Sequence, residues 1–347
     1  MQSEVNPVTD YLVVLTKKFG IEYTGATVAT QNLIKYWKDV FKKIIVITLE
    51  CGTYEKDGRI EVRKVRNNKE ITSELRKVAA RQGSKSFYSD DHLGYLFHDI
   101  GAKYVHTYHG NWPDAKYTDL SFFMKSFYFI PCYAKTIRCA NTVVNVSHYM
   151  EKFTDKYNKN SVVIHNGIQQ RRGVIGTPSK DFLMVGNIDK RKYGYLIKLL
   201  QEPSLKNAKF VIDIYGKAID QNIANELGKD SRVHFMGQQK SIDYQPYKAM
   251  LNVSSMENLS ISVCEAILSG TPVLSFAIGG LPEVVINDKT GWVFEAFDTE
   301  GMAKKMLKVL AEDKVPVASE LLAGFDWEIA AEKYLGIFQE ITGKNND

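Results

Sequence analysis

Two carboxylates, Glu257 and Glu265, lie eight positions apart in the segment SSMENLSISVCEAI, residues 254–267. The residues before Glu257 predict a buried strand, and a helix is expected to begin near Ser260 to Ser262. Glu257 then lies in the loop that leaves the strand, and Glu265 lies about one turn inside the helix. Ser262 and Glu265 also fit a capping box, which is a purely local explanation for Glu265. No such explanation covers Glu257.

A group of cations follows another predicted strand, DFLMVG (181–186). Lys190, Arg191 and Lys192 lie in the loop NIDKRKYG, directly before the predicted helix YLIKLLQE. Cations beside a helix N-terminus can bind a diphosphate, because the side chains and the free N–H groups both favour negative charge. The alternative is a solvated loop, which is the usual place for a run of charges.

Two further loops follow predicted strands in the first half of the chain. His109, before Gly110, stands at the exit of KYVHTY and can approach a substrate, although a loop histidine that satisfies a local hydrogen bond is the stronger alternative. Gly20 and Gly25 flank a loop before the helix ATVATQNLIKYW, and such a loop can receive an anion or sugar hydroxyls. The absence of GxGxxG and GxxxxGK[ST] argues against dinucleotide-type and P-loop sites.

Runs rich in Val, Ile and Tyr alternate with segments of helical length along the chain. We predict strands at 11–16, 43–49, 60–65, 103–108, 141–147 and 161–166, and a second series at 181–186, 210–216, 233–237, 250–255 and 271–276. This alternation is typical of parallel sheets covered by helices. The predicted fold class is α/β, with two doubly wound domains facing a cleft and ligands beyond the carboxyl ends of the strands.

The two series of strands meet at GIQQRRGVIGTPSK (167–180), which has no sustained apolar period. We predict an amino-terminal domain at 1–168, a linker at 169–180 and a carboxyl-terminal domain at 181–325. The closing segment, 326–347, is predicted to form an amphipathic helix that packs back toward the amino-terminal domain. Its expected apolar face consists of Ile329, Ala330, Tyr334, Ile337 and Ile341.

The charge of the chain is uneven along its 347 residues. Residues 1–168 carry 24 Lys and Arg against 17 Asp and Glu, a balance of +7, whereas residues 169–347 carry 21 against 23, a balance of −2. A basic first half can meet an anionic partner or a membrane surface, and drift in surface charge is an equal alternative.

Location within the cell is predicted from three features. No window is apolar enough for a membrane span, and the first residues lack a signal-peptide pattern. The four cysteines are scattered and indicate reduced core thiols. We therefore expect a cytoplasmic protein, or one held at the inner face of the membrane.

Taken together, the motifs resemble those of retaining GT-B glycosyltransferases of the family-4 type. MENLSISVCEAILSGTPVLSF resembles their E-x7-E region, and FLMVGNIDKRKYG resembles their glycine turn with its lysine. VVIHNGI, NVSHYMEKF, YHG and GGLPEVVINDKTGWVF resemble other strand ends of the family, in the family's order from about residue 11 to 330. The resemblance implies two Rossmann-like domains, of which the first binds the acceptor and the second binds the nucleotide sugar.

The resemblance also implies roles for single residues. Glu265 would bind the ribose hydroxyls, Glu257 the hydroxyls of the donor sugar, and Lys192 the diphosphate. His109 would approach the donor sugar, so His109, Glu257 and Lys192 form the predicted catalytic set. Further donor contacts are implied for Gly25, Gly186, Asn187, Arg191, Asn258, Leu259 and Ser260.

The implied reaction moves a hexose or N-acetylhexosamine, with retention, from a nucleotide sugar, which we expect to be UDP-linked. The implied acceptor is a glycan, a lipid-linked molecule or an anionic cell-surface polymer. No metal, no other cofactor and no nucleic acid is expected, and peripheral membrane contact is expected through the basic first half. Two alternatives are a non-catalytic sugar-nucleotide-binding partner subunit and a GT-B enzyme like UDP-GlcNAc 2-epimerase.

The chain departs from the family pattern at three places. Asn187 replaces the arginine that commonly follows the glycine of the turn, so one diphosphate cation is missing unless Arg191 compensates. The segment ENLS replaces EGFG, a variant that resembles enzymes of surface polysaccharide biosynthesis, and KYG replaces KG. Asn187 keeps the non-catalytic alternative open.

The segment KYTDLSFFMKSFYFIPCYAKTIRC (116–139) is rich in aromatic residues. Core packing, an acceptor platform and a membrane-surface face are three alternatives for it. We expect core packing, because aromatic stripes on helices are mostly buried.

Overall fold

The structure, a computed structural model, describes residues 8–21, 25–54, 57–118, 120–168, 178–239, 241–312 and 316–343. It divides into two compact units. The first unit consists of Met1–Gly167 and Phe325–Asp347, and the second unit consists of Ile168–Gly324. Most of the predicted linker, 169–177, lies outside the described residues, and Lys180 is already the first residue of a strand.

The first unit contains a seven-stranded parallel sheet in the order β3-β2-β1-β4-β5-β6-β7. Its strands are β1 (Tyr11–Phe19), β2 (Lys43–Cys51), β3 (Ile60–Lys64), β4 (Lys85–Ser89), β5 (Val105–Tyr108), β6 (Thr142–Asn145) and β7 (Ser161–Val163). Its connecting helices are α1 (Gly25–Trp37), α2 (Asn68–Ala79), α3 (Tyr95–His98), α4 (Trp112–Ala115), α5 (Leu120–Cys139) and α6 (Glu151–Thr154). Helices cover both faces, so β1 and β2 are almost continuously apolar and buried.

The second unit contains a six-stranded parallel sheet in the order β10-β9-β8-β11-β12-β13. Its strands are β8 (Lys180–Val185), β9 (Ile212–Tyr215), β10 (Val233–Gly237), β11 (Tyr247–Asn252), β12 (Val273–Phe276) and β13 (Gly291–Phe294). Its helices are α7 (Lys190–Leu200), α8 (Gln221–Leu227), α9 (Ile261–Leu268), α10 (Leu281–Val284) and α11 (Thr299–Ala311). The predicted α/β class with two Rossmann-like sheets is confirmed.

The last helix, α12 (Trp327–Thr342), belongs to the first unit. It packs on α1, where the Trp37 ring meets those of Tyr334 and Phe338 at centroid distances of 5.4 and 5.5 Å. The predicted apolar face was partly wrong, because Ile329 is 38% exposed whereas Phe338 is buried. The aromatic contacts to Trp37 set the rotation of the helix, and aliphatic spacing alone did not reveal them.

Two strands were missing from the prediction. Strand β4 reads KSFYS and contains no Val or Ile, so it lacks the β-branched run by which the other strands of this sheet were predicted. It is nevertheless central, between β1 and β5, and Ser86 and Ser89 are buried there. The Ser89 hydroxyl is 2.9 Å from Nδ1 of His106 on β5, so a hydrogen bond satisfies it. Strand β13, GWVF, is only four residues long and begins at a glycine.

The expectation of core packing for the aromatic segment was wrong for most of α5. Tyr133 is buried, but Phe127 and Tyr128 are 65% and 52% exposed. Phe122 and Phe129 are half-buried against Trp112. The helix buries one face against the sheet and leaves its aromatic side in solvent.

Two expectations concern the membrane-spanning potential of the helices and the burial of the cysteines. None of the described helices is long and apolar enough to cross a membrane. All four cysteines are free, but only Cys264 is buried, so the expectation of core thiols was wrong for Cys51, Cys132 and Cys139.

Candidate functional site

The second unit brings predicted site residues to one edge of its sheet. The chain builds β8, β9 and β10 outward on one side and then returns to place β11 beside β8. This reversal leaves a crevice beyond the carboxyl ends of the two central strands, where open α/β sheets bind ligands. Lys192 follows β8 and Glu257 follows β11, so the two residues flank that position.

The turn after β8 holds the start of α7 in place. Gly186 has a φ of 138°, and a Cβ built on it would lie 2.9 Å from Cδ of Lys192 and 3.0 Å from Nζ. Any larger residue would therefore displace the lysine side chain. Asp189 caps α7, because its Oδ1 accepts a hydrogen bond from the backbone N–H of Lys192 at 2.9 Å. Asn187 is half-buried in the same turn.

Arg191 joins this turn to the loop that follows β11. Its carbonyl accepts hydrogen bonds from the backbone N–H of Ser255 at 2.8 Å and from the Ser255 hydroxyl at 3.1 Å. Its guanidinium lies 3.2 Å from Oδ2 of Asp189. Much of its charge is thus directed at a neighbouring carboxylate, which weakens the expectation that Arg191 replaces the cation missing at Asn187.

Lys192 and Glu257 form the centre of the edge. Nζ of Lys192 lies 3.4 Å from Oε2 of Glu257, and the two side chains are 20% and 15% exposed. Oε2 is buried and accepts no hydrogen bond from any described residue. A buried acceptor without a donor is costly unless a ligand or water supplies one. The pair therefore presents a cation and a free acceptor side by side.

A glycine pair fixes the loop that carries Glu257. The backbone N–H of Gly280 donates to the Asn258 carbonyl at 2.6 Å. Gly279 has a φ of 61°, and a Cβ on it would lie 1.8 Å from the Glu257 carbonyl oxygen. The close approach requires glycine at this position. Leu259 and Ser260 are buried at the end of the same loop, which directs the chain into α9.

Glu265 lies in the second turn of α9. Its Oε2 accepts a hydrogen bond from the hydroxyl of buried Tyr244 at 2.7 Å. The helix begins at Ile261 with Ser260 as its N-cap, so Ser262 is the second helical residue. The capping-box explanation for Glu265 was therefore wrong. Tyr244 orients a carboxylate that stays half-exposed.

These residues can together bind a phosphorylated, hydroxyl-bearing ligand. The ammonium of Lys192 and the N-terminus of α7 favour a phosphate. The carboxylates of Glu257 and Glu265 can accept hydrogen bonds from hydroxyls. Among the described residues, no cluster of three or more His, Cys, Asp or Glu side chains could hold a metal ion.

The first unit has its own reversal, between β1 and β4. The Thr30 hydroxyl on α1 donates to Oδ2 of Asp90, which follows β4, at 2.5 Å. Asp90 is 5% exposed, and its other oxygen accepts no hydrogen bond from the described residues. Burial raises the pKa of Asp90 to about 7, and the charge of Asp91 adds to that shift. Sequence analysis missed this carboxyl because it missed β4.

His109 follows β5 at the neighbouring position of the same edge. Burial lowers the pKa of His109 to about 4 and that of His106 to about 3, so both imidazoles are neutral at neutral pH. A neutral imidazole can donate or accept a hydrogen bond without bringing charge to the edge. Gly25 is the exposed first residue of α1, and its predicted role remains a prediction because residues 22–24 lie outside the described part.

Replacing Asp90 by asparagine is expected to stabilise the protein more at about pH 8 than at about pH 5. The unfolded chain loses this proton near the ordinary pKa of 3.8, whereas the folded protein holds it to about 7. The free energy of unfolding of the native protein therefore falls between about pH 4 and about pH 7. We expect the benefit of Asp90→Asn in urea denaturation to grow by about 2–3 kcal/mol between the two conditions. Asp39→Asn, at an exposed position, is the control, and an equal benefit at both pH values would contradict the prediction.

Nine of the predicted site residues lie in the second unit, in the turn after β8, the loop after β11 and helix α9. They are Gly186, Asn187, Arg191, Lys192, Glu257, Asn258, Leu259, Ser260 and Glu265. Gly25 and His109 lie in the first unit. Sequence analysis missed Tyr244, which lies in a loop without periodicity. It also missed Gly216 after β9, where a Cβ would lie 1.9 Å from the Gly186 carbonyl oxygen. A glycine directly after a predicted strand was the available signal for Gly216.

Two protein-family models match the chain. The model described as glycosyl transferases group 1 matches residues 167–320, and the model described as glycosyltransferase family 4 matches residues 87–172. N-acetyl-alpha-D-glucosaminyl L-malate synthase of Bacillus anthracis is 24% identical over 204 residues, which is 52% of each chain. The match thus spans about half the length of that curated relative.

Solved structures match nearly the full length of the chain. Sucrose-phosphate synthase from Thermosynechococcus elongatus superimposes with a TM-score of 0.81 at 16% identity, covering 96% of this chain and 100% of the other. The Anabaena protein HepE in complex with UDP gives a TM-score of 0.74 at 15% identity, covering 95% and 100%. At such identities the likeness establishes the fold alone. Residues 87–172 and 167–320 thus resemble glycosyltransferase families, and the chain shares the fold of these solved structures, with two parallel α/β sheets.

Proposed function

We propose that the protein transfers a hexose or N-acetylhexosamine from a UDP-linked sugar to a glycan, lipid-linked or anionic polymer acceptor, with retention at the anomeric carbon. The observation that carries the proposal is the pairing of Lys192 with Glu257, whose Oε2 is buried without a hydrogen-bond donor among the described residues. The pair lies at the strand reversal of the second sheet, where such sheets bind ligands.

Each group has a part in the proposed donor site. Lys192 and the N-terminus of α7 bind the diphosphate. Glu257 accepts hydrogen bonds from hydroxyls of the donor sugar, which supply the donor that its Oε2 lacks. Glu265, oriented by Tyr244, accepts hydrogen bonds from the ribose hydroxyls. The complex of HepE with UDP supports a uridine nucleotide as the first ligand to test.

The proposed reaction breaks the bond between the anomeric carbon and the diphosphate oxygen, and that oxygen keeps the electron pair. Negative charge grows on the diphosphate, so a preorganised cation there lowers the barrier. The anomeric carbon becomes oxocarbenium-like and forms its new bond to the acceptor oxygen. The acceptor proton leaves to a base, for which an oxygen of the departing phosphate is one candidate.

This mechanism uses no metal ion, and no residue is assigned as a nucleophile. The approach of His109 to the donor sugar also remains a prediction.

Replacing Glu265 by glutamine tests the nucleotide half of the proposal. We expect UDP affinity to fall by about tenfold, the loss of a charge-assisted hydrogen bond, while the melting temperature changes little. Thermal-shift assays with UDP and a panel of nucleotide sugars measure both the melting temperature of the free protein and the affinity for each ligand, because a bound ligand raises stability by mass action. Glu295→Gln, an exposed carboxylate after β13 at the same sheet edge, is the control. A large loss of melting temperature with normal UDP affinity would favour a structural role.

The alternatives give different results in simple assays. An epimerase converts UDP-GlcNAc without any acceptor. A non-catalytic partner subunit binds UDP but shows no turnover with acceptor extracts. The ion pair between Arg191 and Asp189 favours the non-catalytic partner subunit. Because Asp189 partly neutralises Arg191, the diphosphate would be bound mainly by the single cation of Lys192.

A further inference from the structure

Helix α5 presents an apolar stripe to solvent. The exposed side chains recur at helical spacing, so they lie on one face of the helix. With Tyr117 just before the helix, we call this set the α5 face: Tyr117, Leu120, Phe123, Met124, Phe127 and Tyr128, exposed by 77, 74, 42, 61, 65 and 52%.

The other side of α5 is firmly packed. Tyr133, Thr136 and Ile137 are buried in the first unit. Phe129 stacks on Trp112 at a centroid distance of 4.2 Å. The helix is therefore held in its rotation, and the exposure of the α5 face follows from its place in the fold.

The α5 face differs from the exposed apolar residues found elsewhere. Six of the 15 exposed large hydrophobic side chains in the described residues belong to it. Others, such as Ile219 and Leu321, occur singly or in pairs. Single exposed apolar residues are ordinary in proteins, whereas a contiguous patch marks an interaction site.

Cations flank the α5 face. Helix α5 carries Lys125, Lys135 and Arg138 and no acidic residue, and Lys116 lies just before it. Nζ of Lys116 lies 4.7 Å from the Tyr117 ring centroid. Lys135 lies 3.6 Å from a carboxylate oxygen of Asp99, an ion pair exposed on both sides. Aromatic residues on one face with basic residues beside them are typical of helices that lie in a membrane interface.

We propose that the α5 face docks the protein on an anionic lipid bilayer. The aromatic and aliphatic side chains enter the headgroup region, and the flanking lysines contact lipid phosphates. Charge complementarity selects this occupant over a second copy docked through the same face, which would bring the flanking lysines of the two copies together.

The placement of α5 adds a functional consequence, which rests on the proposed function. The helix follows β5 and α4, so it begins at the sheet edge that carries His109. A docked α5 would hold that edge near the bilayer surface, where the head of a lipid-linked acceptor lies. Among the three proposed acceptor classes, this favours a lipid-linked one.

Flotation of the full-length protein with vesicles tests the docking. We expect binding to phosphatidylcholine vesicles that contain phosphatidylglycerol, weak binding to phosphatidylcholine alone, and loss of binding at high salt. Phe123→Ser with Phe127→Ser should lower the partition coefficient by about tenfold or more, since binding scales with inserted apolar area. Lys125→Gln should lower it by about fivefold, the effect of one charge near an anionic surface.

Ile219→Ser with Leu321→Ser, exposed apolar positions of the second unit, is the matched control and should bind as the native protein does. Absence of binding to the anionic vesicles, or an equal loss in the control, overturns the proposal. A concentration-dependent dimer that the phenylalanine variant abolishes, without vesicle binding, also overturns it in favour of a second copy. UDP affinity of the phenylalanine variant should be unchanged, so failure of docking and failure of the donor site are separate results.

Discussion

Replacing Lys192 by glutamine is expected to lower the rate of sugar transfer by about 10²–10³-fold, the usual effect of removing one group that stabilises transition-state charge. The ammonium lies over Gly186, near the N-terminus of α7, and 3.4 Å from Oε2 of Glu257. Because the charge of the leaving diphosphate grows during the reaction, the loss should appear in kcat more than in KM for the donor. Steady-state kinetics with the best donor of the nucleotide-sugar panel measures both.

Lys190→Gln is the matched control for this variant. Lys190 is the first residue of the same helix, carries the same charge and is exposed. We expect it to keep transfer within about twofold, because its charge is exposed and screened by solvent. Equal losses in the two variants would mean that general positive charge is sufficient and that Lys192 has no special position.

Replacing Glu257 by glutamine is expected to lower kcat by about 10²-fold while the free energy of unfolding changes by no more than about 1 kcal/mol. In the free protein Oε2 lies 3.4 Å from Nζ of Lys192 but accepts no hydrogen bond from the described residues. The amide therefore loses an ion pair and also removes the desolvation cost of the carboxylate, and these two effects on stability oppose each other. In the donor complex the same oxygen would accept hydrogen bonds from sugar hydroxyls, and the amide replaces an acceptor by a donor. Transfer rates and urea denaturation, taken on the same preparation, separate the two effects.

The control for Glu257 is Glu295→Gln, which follows β13 at the same edge of the sheet and is exposed. It should leave both the rate and the stability unchanged. A loss of stability in Glu257→Gln with normal transfer would assign the residue to the fold, because the ion pair with Lys192 would then matter only for packing.

The sequence was sufficient to predict the strands with dense β-branched residues. Strands β1 and β2 were predicted because their Val and Ile runs are what a sheet buried on both faces requires. Strand β4 was missed because its buried hydroxyls depend on partners far along the chain, such as His106 and Thr9. The buried face of α12 was likewise not fully predicted, because the rotation of this helix depends on its contact with Trp37, which lies far away along the chain.

The candidate site was predictable where it follows strand ends. Lys192 and Glu257 were identified by their positions after two strands, and the structure places them in contact. The hydrogen bond from Tyr244 to Glu265 was not predictable, since a loop tyrosine 21 residues away carries no local pattern. Aromatic content alone also failed to separate the buried side of α5 from its exposed side. Only the packing of α5 on Trp112 and the sheet determines which residues face solvent.

The most direct measurement is a crystal structure of the protein soaked with UDP. We expect the diphosphate beside Nζ of Lys192 and the N-terminus of α7, with the ribose hydroxyls on the Glu265 carboxylate. A nucleotide bound at another edge of either sheet, or no nucleotide at concentrations that saturate thermal shift, would show that Lys192, Glu257 and Glu265 do not form the donor site.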